Sequence, residues 1–101
     1  MAIVNTAILA TNTTIYTSSG NNAITTVIIC NTGSSDRTLT LHAVPSGGSA
    51  GTVNMIVNAL VVPAGDTVSF DQEKMVLSNG DSLVAVGSNT NLSATVSTLP
   101  V

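Results

Sequence analysis

The chain has 101 residues, two cations (Arg37 and Lys74), five anions (Asp36, Asp66, Asp71, Glu73 and Asp81) and a formal net charge of −3. Its length suits one domain spanning residues 1-101. Two cations exclude an electrostatic nucleic-acid binder, which needs a basic patch to displace condensed counterions.

Ala2 to Leu9 is a first strand and Ala10 to Thr14 a polar turn. Thr14 to Thr17 is a short second strand, followed by a Ser-Gly-Asn loop. Asn22 to Asn31 is nearly all β-branched at its centre (Ile24, Thr25, Thr26, Val27, Ile28, Ile29), and such side chains suit a pleated surface. Arg37 to Val44 alternates Leu39, Leu41 and Ala43 with Thr38, Thr40 and His42, a period of two. Between them, Thr32-Gly33-Ser34-Ser35-Asp36 carries turn chemistry. Ala23 to Val44 therefore predicts a β-hairpin on which the rest of the chain packs.

Pro45 to Gly51 holds three glycines and a proline, so it is irregular: either a mobile loop tip or a loop that orders against a neighbouring subunit. Thr52 to Val62 is two adjacent strands, or one bent at Asn58-Ala59. Pro63 to Asp66 is a turn with Pro at its second position. Thr67 to Asp71 alternates with Val68 and Phe70 inward. Gln72-Glu73-Lys74 is a charged corner, and Met75-Val76-Leu77 a short apolar piece or a single helical turn. Ser78 to Asp81 is a turn of the Asn-Gly kind. Ser82 to Gly87 is a strand, and Leu92 to Leu99 a last strand that directs Leu92, Ala94 and Val96 to one side. Pro100 is expected to end the pairing.

About seven to nine short antiparallel strands with turns at short intervals and no helix-period stretch predict an all-β fold: a single β-sandwich or jelly-roll-like domain. The immunoglobulin hallmarks fail, because there is no Trp and only one cysteine. Tyr16 and Phe70 are the only rings, so the core is aliphatic and thin. Charged residues make up 7% of the chain, against about 25% in ordinary globular proteins. Hydroxyls and amides cost far less to desolvate than ions, so this surface suits cover by neighbouring protein. Met1 to Asn5 lacks the basic start of a signal peptide, no apolar run is long enough to span a membrane, and the lone Cys30 makes no intrachain disulfide, which fits cytosolic synthesis.

The order of Thr14-Ile-Tyr-Thr17, Ala23-Ile-Thr-Thr-Val-Ile-Ile-Cys-Asn31, Thr38-Leu-Thr-Leu-His-Ala-Val44, Leu60-Val-Val-Pro-Ala-Gly-Asp-Thr67 and Val76-Leu-Ser-Asn-Gly-Asp-Ser-Leu83 resembles small single-domain virion proteins of tailed bacteriophages, cyanophages among them. The resemblance covers nearly the whole chain and rests on turn chemistry and strand patterning. It implies a structural virion component made in the host cytoplasm. The first implied role is a capsid decoration (cement) protein held by the major capsid protein or other virion proteins, and assembled as a homo-oligomer, a trimer. The other implied role is a tail, neck or fibre-junction accessory protein; a carbohydrate or receptor-binding module is a separate alternative, against which the shortage of aromatic rings argues. No catalytic motif comes with it. The near absence of basic residues and the short acidic corner depart from the family pattern.

No enzyme, cofactor or metal site is expected. Cys30 and His42, placed across the expected hairpin, are two ligands where a zinc site wants more. Asp66, Asp71, Asn79 and Asp81 match no EF-hand spacing, and Asp71 with Glu73 suits a solvated corner beside Lys74. No Gly-x-Ser-x-Gly elbow accompanies His42. Asn12-Thr-Thr and Asn91-Leu-Ser match a glycosylation pattern through composition alone. The candidate functional surface is instead a contact surface. It comprises Ala2, Ile3, Val4, Ile8 and Leu9 in an N-terminal arm or edge strand (1-10), Pro45, Gly47 and Gly48 in the loop, and Leu99 and Val101 in a C-terminal arm or edge strand (92-101).

Overall fold

β-Branched runs and period-two alternation produce strands close to the positions the sequence marks. The computed structural model describes residues 2–70 and 75–101. Its strands are β1 (Ala2–Ile8), β2 (Thr13–Thr17), β3 (Asn22–Asn31), β4 (Arg37–Val44), β5 (Met55–Val62), β6 (Thr67–Phe70), β7 (Met75–Leu77), β8 (Ser82–Gly87) and β9 (Leu92–Pro100). A short 3-10 turn, Thr52–Asn54, precedes β5. The charged corner at Gln72-Glu73-Lys74, and Asp71 with it, lies outside the described residues.

The strands form two antiparallel sheets. Sheet A runs β1-β9-β3-β6, with β7 continuing the edge that β6 begins; sheet B runs β2-β8-β4-β5. The pairing is nested: first strand with last, second with next to last, β3 with β6 and β7, and β4 with β5. That is the jelly-roll wrap, in which one long folded-back ribbon is curled over a core. Of strands consecutive in the chain, only β4 and β5 pair.

The expected β3–β4 hairpin is therefore corrected. β3 lies in sheet A between β9 and β6/β7, so both of its edges are taken, and the chain crosses to sheet B through Thr32–Asp36. Five residues span roughly 16 Å when extended, enough for a gap of about 10 Å between packed sheets. Asn31 fastens the crossing. Fully buried, its Nδ2 donates to Ser35 O and Val62 O (both 2.9 Å), and its Oδ1 accepts from the Gly33 N–H at 3.0 Å. Val62 ends β5 in sheet B, so this one amide ties the two sheets together.

Other expectations change in detail. Leu92–Pro100 is an inner strand between β1 and β3, neither an arm nor an edge, because its own alternation buries Leu92, Ala94, Val96 and Thr98. Pro100 does not end the pairing: it stays in register with Asn22, and the Val101 N–H reaches Asn21 O at 3.1 Å. Met75–Leu77 is a strand. The turn after β5 starts at Pro63, whose carbonyl accepts from the Asp66 N–H at 3.0 Å, with Gly65 at φ +72° in the third position. β5 is one bent strand. Leu39 pairs with Leu60 and Leu41 with Val57, so β5 carries an extra residue around Asn58-Ala59, and Ala59 sits at φ +53°.

The core is aliphatic: Ile8, Ile15, Ile24, Val27, Ile29, Leu39, Leu41, Val62, Leu77, Leu83, Leu92 and Val96 are buried, with Tyr16 and Phe70 packed at its margin. Gly87 lets β8 approach the end of β1. A Cβ there would lie 2.8 Å from Asn89 O and 3.3 Å from Leu92 Cδ1.

Two substitutions test this packing. Asn31→Ala leaves the Val62 and Ser35 carbonyls and the Gly33 amide without their partner, and is expected to cost about 3 kcal/mol. For a domain of this size that is a fall of roughly 12–24 °C in melting temperature by calorimetry. Gly87→Ala is expected to cost about 1–3 kcal/mol through overpacking, because the nearest atom is backbone and cannot swing away. A melting temperature unchanged in either variant contradicts the corresponding contact.

Candidate functional site

The outer faces of the two sheets differ. On sheet B, Val44, Val84 and His42 point away from the core, yet all three are buried. The β4–β5 loop folds back against His42 and Val44. His42 Nδ1 lies 3.0 Å from Gly51 O and 3.1 Å from Asn54 Oδ1. The Asn54 amide is oriented by the Gly51 N–H, which it accepts at 3.0 Å, and by Ser49 O, to which it donates at 2.8 Å. Both groups facing Nδ1 are therefore acceptors, and Nδ1 carries a proton. His42 is a loop fastener. Asp81 holds the other end of the loop: its carboxylate accepts from Ser46 N–H and Ser78 N–H, each at 2.9 Å.

The outer face of sheet A has no such cover among the described residues. Register places its outward side chains in cross-strand rows. Val76, Ala23 and Leu99 form one; Thr26, Ser97 and Ile3 the next; then Ser69, Ile28, Thr95 and Asn5; then Thr67, Cys30, Ser93 and Ala7. None is charged. The charged side chains among the described residues, Asp36, Arg37, Asp66 and Asp81, all lie at turns or strand ends. Ile3, Ile28, Val76 and Leu99 are exposed large apolar residues on this face.

An apolar cleft of about 400 Å³ opens between the sheets, lined by Val27, Phe70 and Met75 from sheet A and Leu41, Ile56, Val57 and Leu83 from sheet B. None of these side chains ionises or donates a hydrogen bond, so the described residues of the lining offer no acid, base or nucleophile.

The expected contact residues separate. Ile3, Leu9, Leu99 and Val101 are exposed, and Ala2 pairs with Thr98. Pro45, Gly47 and Gly48 are exposed in the fastened loop. Ile8 is corrected: at 1% exposure it is a core residue, because β1 turns alternate side chains inward. Val4 shares that inward parity and is half-buried.

The weighed metal ligands are also placed. Cys30 is on sheet A and His42 on sheet B, so they do not face each other across a hairpin. Asp66 and Asn79 accept from the Thr67 and Gly20 amides, at 2.8 Å each, and so serve turns. Asp71 and Glu73 lie outside the described residues. Among the described residues no three His, Cys, Asp or Glu side chains cluster as metal ligands would, and no helix is long and apolar enough to cross a membrane. The sequence reading missed Asn31, Ser18 and Asn22. Each is a buried polar residue in a Thr-, Ser- and Asn-rich chain, where composition gives no hint which amide will be enclosed.

Replacing His42 by Leu is expected to speed hydrogen exchange of the Gly51 and Asn54 amides by about tenfold, as loss of roughly 1.4 kcal/mol of local stability requires. The amides of β3 and β9 should be unaffected. Unchanged exchange in the loop rules out the fastening role.

No protein-family model, curated protein or solved structure matches this chain.

Proposed function

We propose that the chain is a structural virion protein of a tailed phage, and that it decorates the capsid by laying the outer face of sheet A on the major capsid protein or another shell component. The observation that carries this reading is the outer face of sheet A, bare and uncharged among the described residues. A face built from Thr, Ser, Asn, Ala and aliphatic side chains loses little by desolvation, because it has no ion to strip of water. Interface cores are depleted of charge in the same way. The jelly-roll wrap adds support, since it is a common architecture of viral capsid proteins, although lectins and cupins share it. The mechanism is mechanical. Each copy adds buried area across a junction of the shell, stable protein interfaces bury about 1,200–2,000 Å², and repetition over the shell multiplies a modest gain per copy.

Deleting the first nine residues does not test this reading, because it removes a whole strand and the core residue Ile8 along with any contact. Single lysines on the face do. Ile28→Lys and Leu99→Lys should each lower occupancy on empty capsids of the encoding phage by about tenfold or more, as a buried unpaired charge demands. Melting temperatures should stay within a few degrees of the parent, and Thr14→Lys, on the edge of sheet B, should bind normally. Co-sedimentation and cryo-electron microscopy read the result. Full occupancy by both face variants overturns the proposed surface. Labelling confined to one vertex replaces decoration by a neck or tail role.

A further inference from the structure

A two-sheet sandwich has four edges, and in this molecule three are irregular. β2 is bulged between Thr14 and Tyr16. β5 shifts register twice and holds Ala59 at φ +53°. The β6/β7 edge is divided between two short strands, Thr67–Phe70 and Met75–Leu77. Such irregularity is how proteins keep free backbone groups from recruiting another chain.

β1 has none of these devices. It pairs with β9 in seven consecutive partners, from Ala2↔Thr98 to Ile8↔Leu92, without a shift. It contains no proline, glycine or charged residue. No described residue hydrogen-bonds to its outer backbone edge. Alternate N–H and C=O groups of an edge strand point away from the sheet, and along β1 they form a straight, unguarded template.

We propose that β1 pairs with β1 of a second copy of this chain, antiparallel about a two-fold axis through Asn5. The inference deepens the contact-surface reading above but does not require a capsid. The strand is self-complementary in this register. Ile3 faces Ala7 of the partner subunit, Val4 faces Thr6, and Asn5 meets its own copy. In an isologous pair a charged residue on the axis would meet its like, and β1 carries no charge at any position. Asn5 is suited to the axis: its Oδ1 accepts from Thr95 Oγ1 at 2.8 Å, which orients the amide, and an Nδ2 hydrogen can donate to the side-chain oxygen of the partner's Asn5. The pair joins two sheets A into one continuous sheet and places both uncharged outer faces on the same side. A two-fold pair replaces the trimer expected from the sequence.

Sedimentation equilibrium on the purified full chain, from low to high micromolar concentration and without capsids, tests this. The expected species is a dimer of twice the 10.1 kDa chain mass. Asn5→Lys should sediment as a monomer that keeps the β-sheet circular dichroism of the parent, whereas Thr14→Lys should remain dimeric. In a Cys30→Ser background, Asn5→Cys should form an intersubunit disulfide, because opposed antiparallel residues have Cα atoms about 4.5–5.5 Å apart, within disulfide reach. Thr14→Cys should stay reduced under the same conditions. A monomeric parent, a trimer, or a dimer that survives Asn5→Lys each overturns the proposal. Failure of capsid binding alone leaves it standing, so the two readings fail separately.

Discussion

The fold depends on closing the gap between two sheets at the point where β3 leaves sheet A. The Asn31 amide makes that closure by bonding to Val62 of sheet B and to the connecting segment at once. A buried amide with all its groups satisfied is directional in a way that aliphatic contact is not. The surrounding Ile, Val and Leu side chains supply burial but would tolerate some sliding of one sheet over the other. Asn31 fixes which carbonyl of sheet B lies beneath the end of β3. The same crossing brings the Gly65 N–H within 3.1 Å of Asn31 O, so the turn after β5 is anchored to it as well.

The strands were legible because their signal is local. β3, β4 and β8 run where β-branched content and alternation place them, and β1, β2 and β9 differ by a residue at one end. The pairing was not legible. Thr32–Asp36, Pro63–Asp66 and Ser78–Asp81 carry Gly, Ser, Asn and Asp, which serve a hairpin and a crossing between sheets equally well. In both cases the chain reverses, and the next strand sends its apolar side chains into the same core. What separates the two outcomes is whether the edge of the preceding strand is free, and that depends on residues tens of positions away. β3 loses its edges to β9 at one side and to β6 and β7 at the other. The nested wrap is thus a property of the whole chain, invisible in any short window.

The uncharged outer face of sheet A, as far as the described residues show it, was half legible for a related reason. A low charge count says that some surface is inexpensive to cover, but not where it lies. The strand register supplies the place. The charges that the structure locates fall at turns and strand ends, where Asp36, Asp66 and Asp81 accept backbone N–H groups. These carboxylates are spent on local geometry, and none of them lies on the broad face of sheet A. The loop that looked free in sequence is used up on sheet B, where His42 and Asp81 hold it down over residues that would otherwise be exposed. One face is covered from within, and the other has no such cover among the described residues.

The aliphatic core and the bare face follow from one choice of composition. With Tyr16 and Phe70 as its only rings, the core fills with short branched side chains, each of which stabilises by about 1.5–3 kcal/mol when fully buried. A domain of about 100 residues buries roughly 65% of its unfolded surface, so its stability is modest when it stands alone. Association adds burial without lengthening the chain. The regular β1 edge and the outer face of sheet A are the surfaces proposed for that association. The charged residues whose places the structure gives, Asp36, Arg37, Asp66 and Asp81, stand at turns and strand ends, so none of the four would have to be stripped of water if the outer face of sheet A were covered.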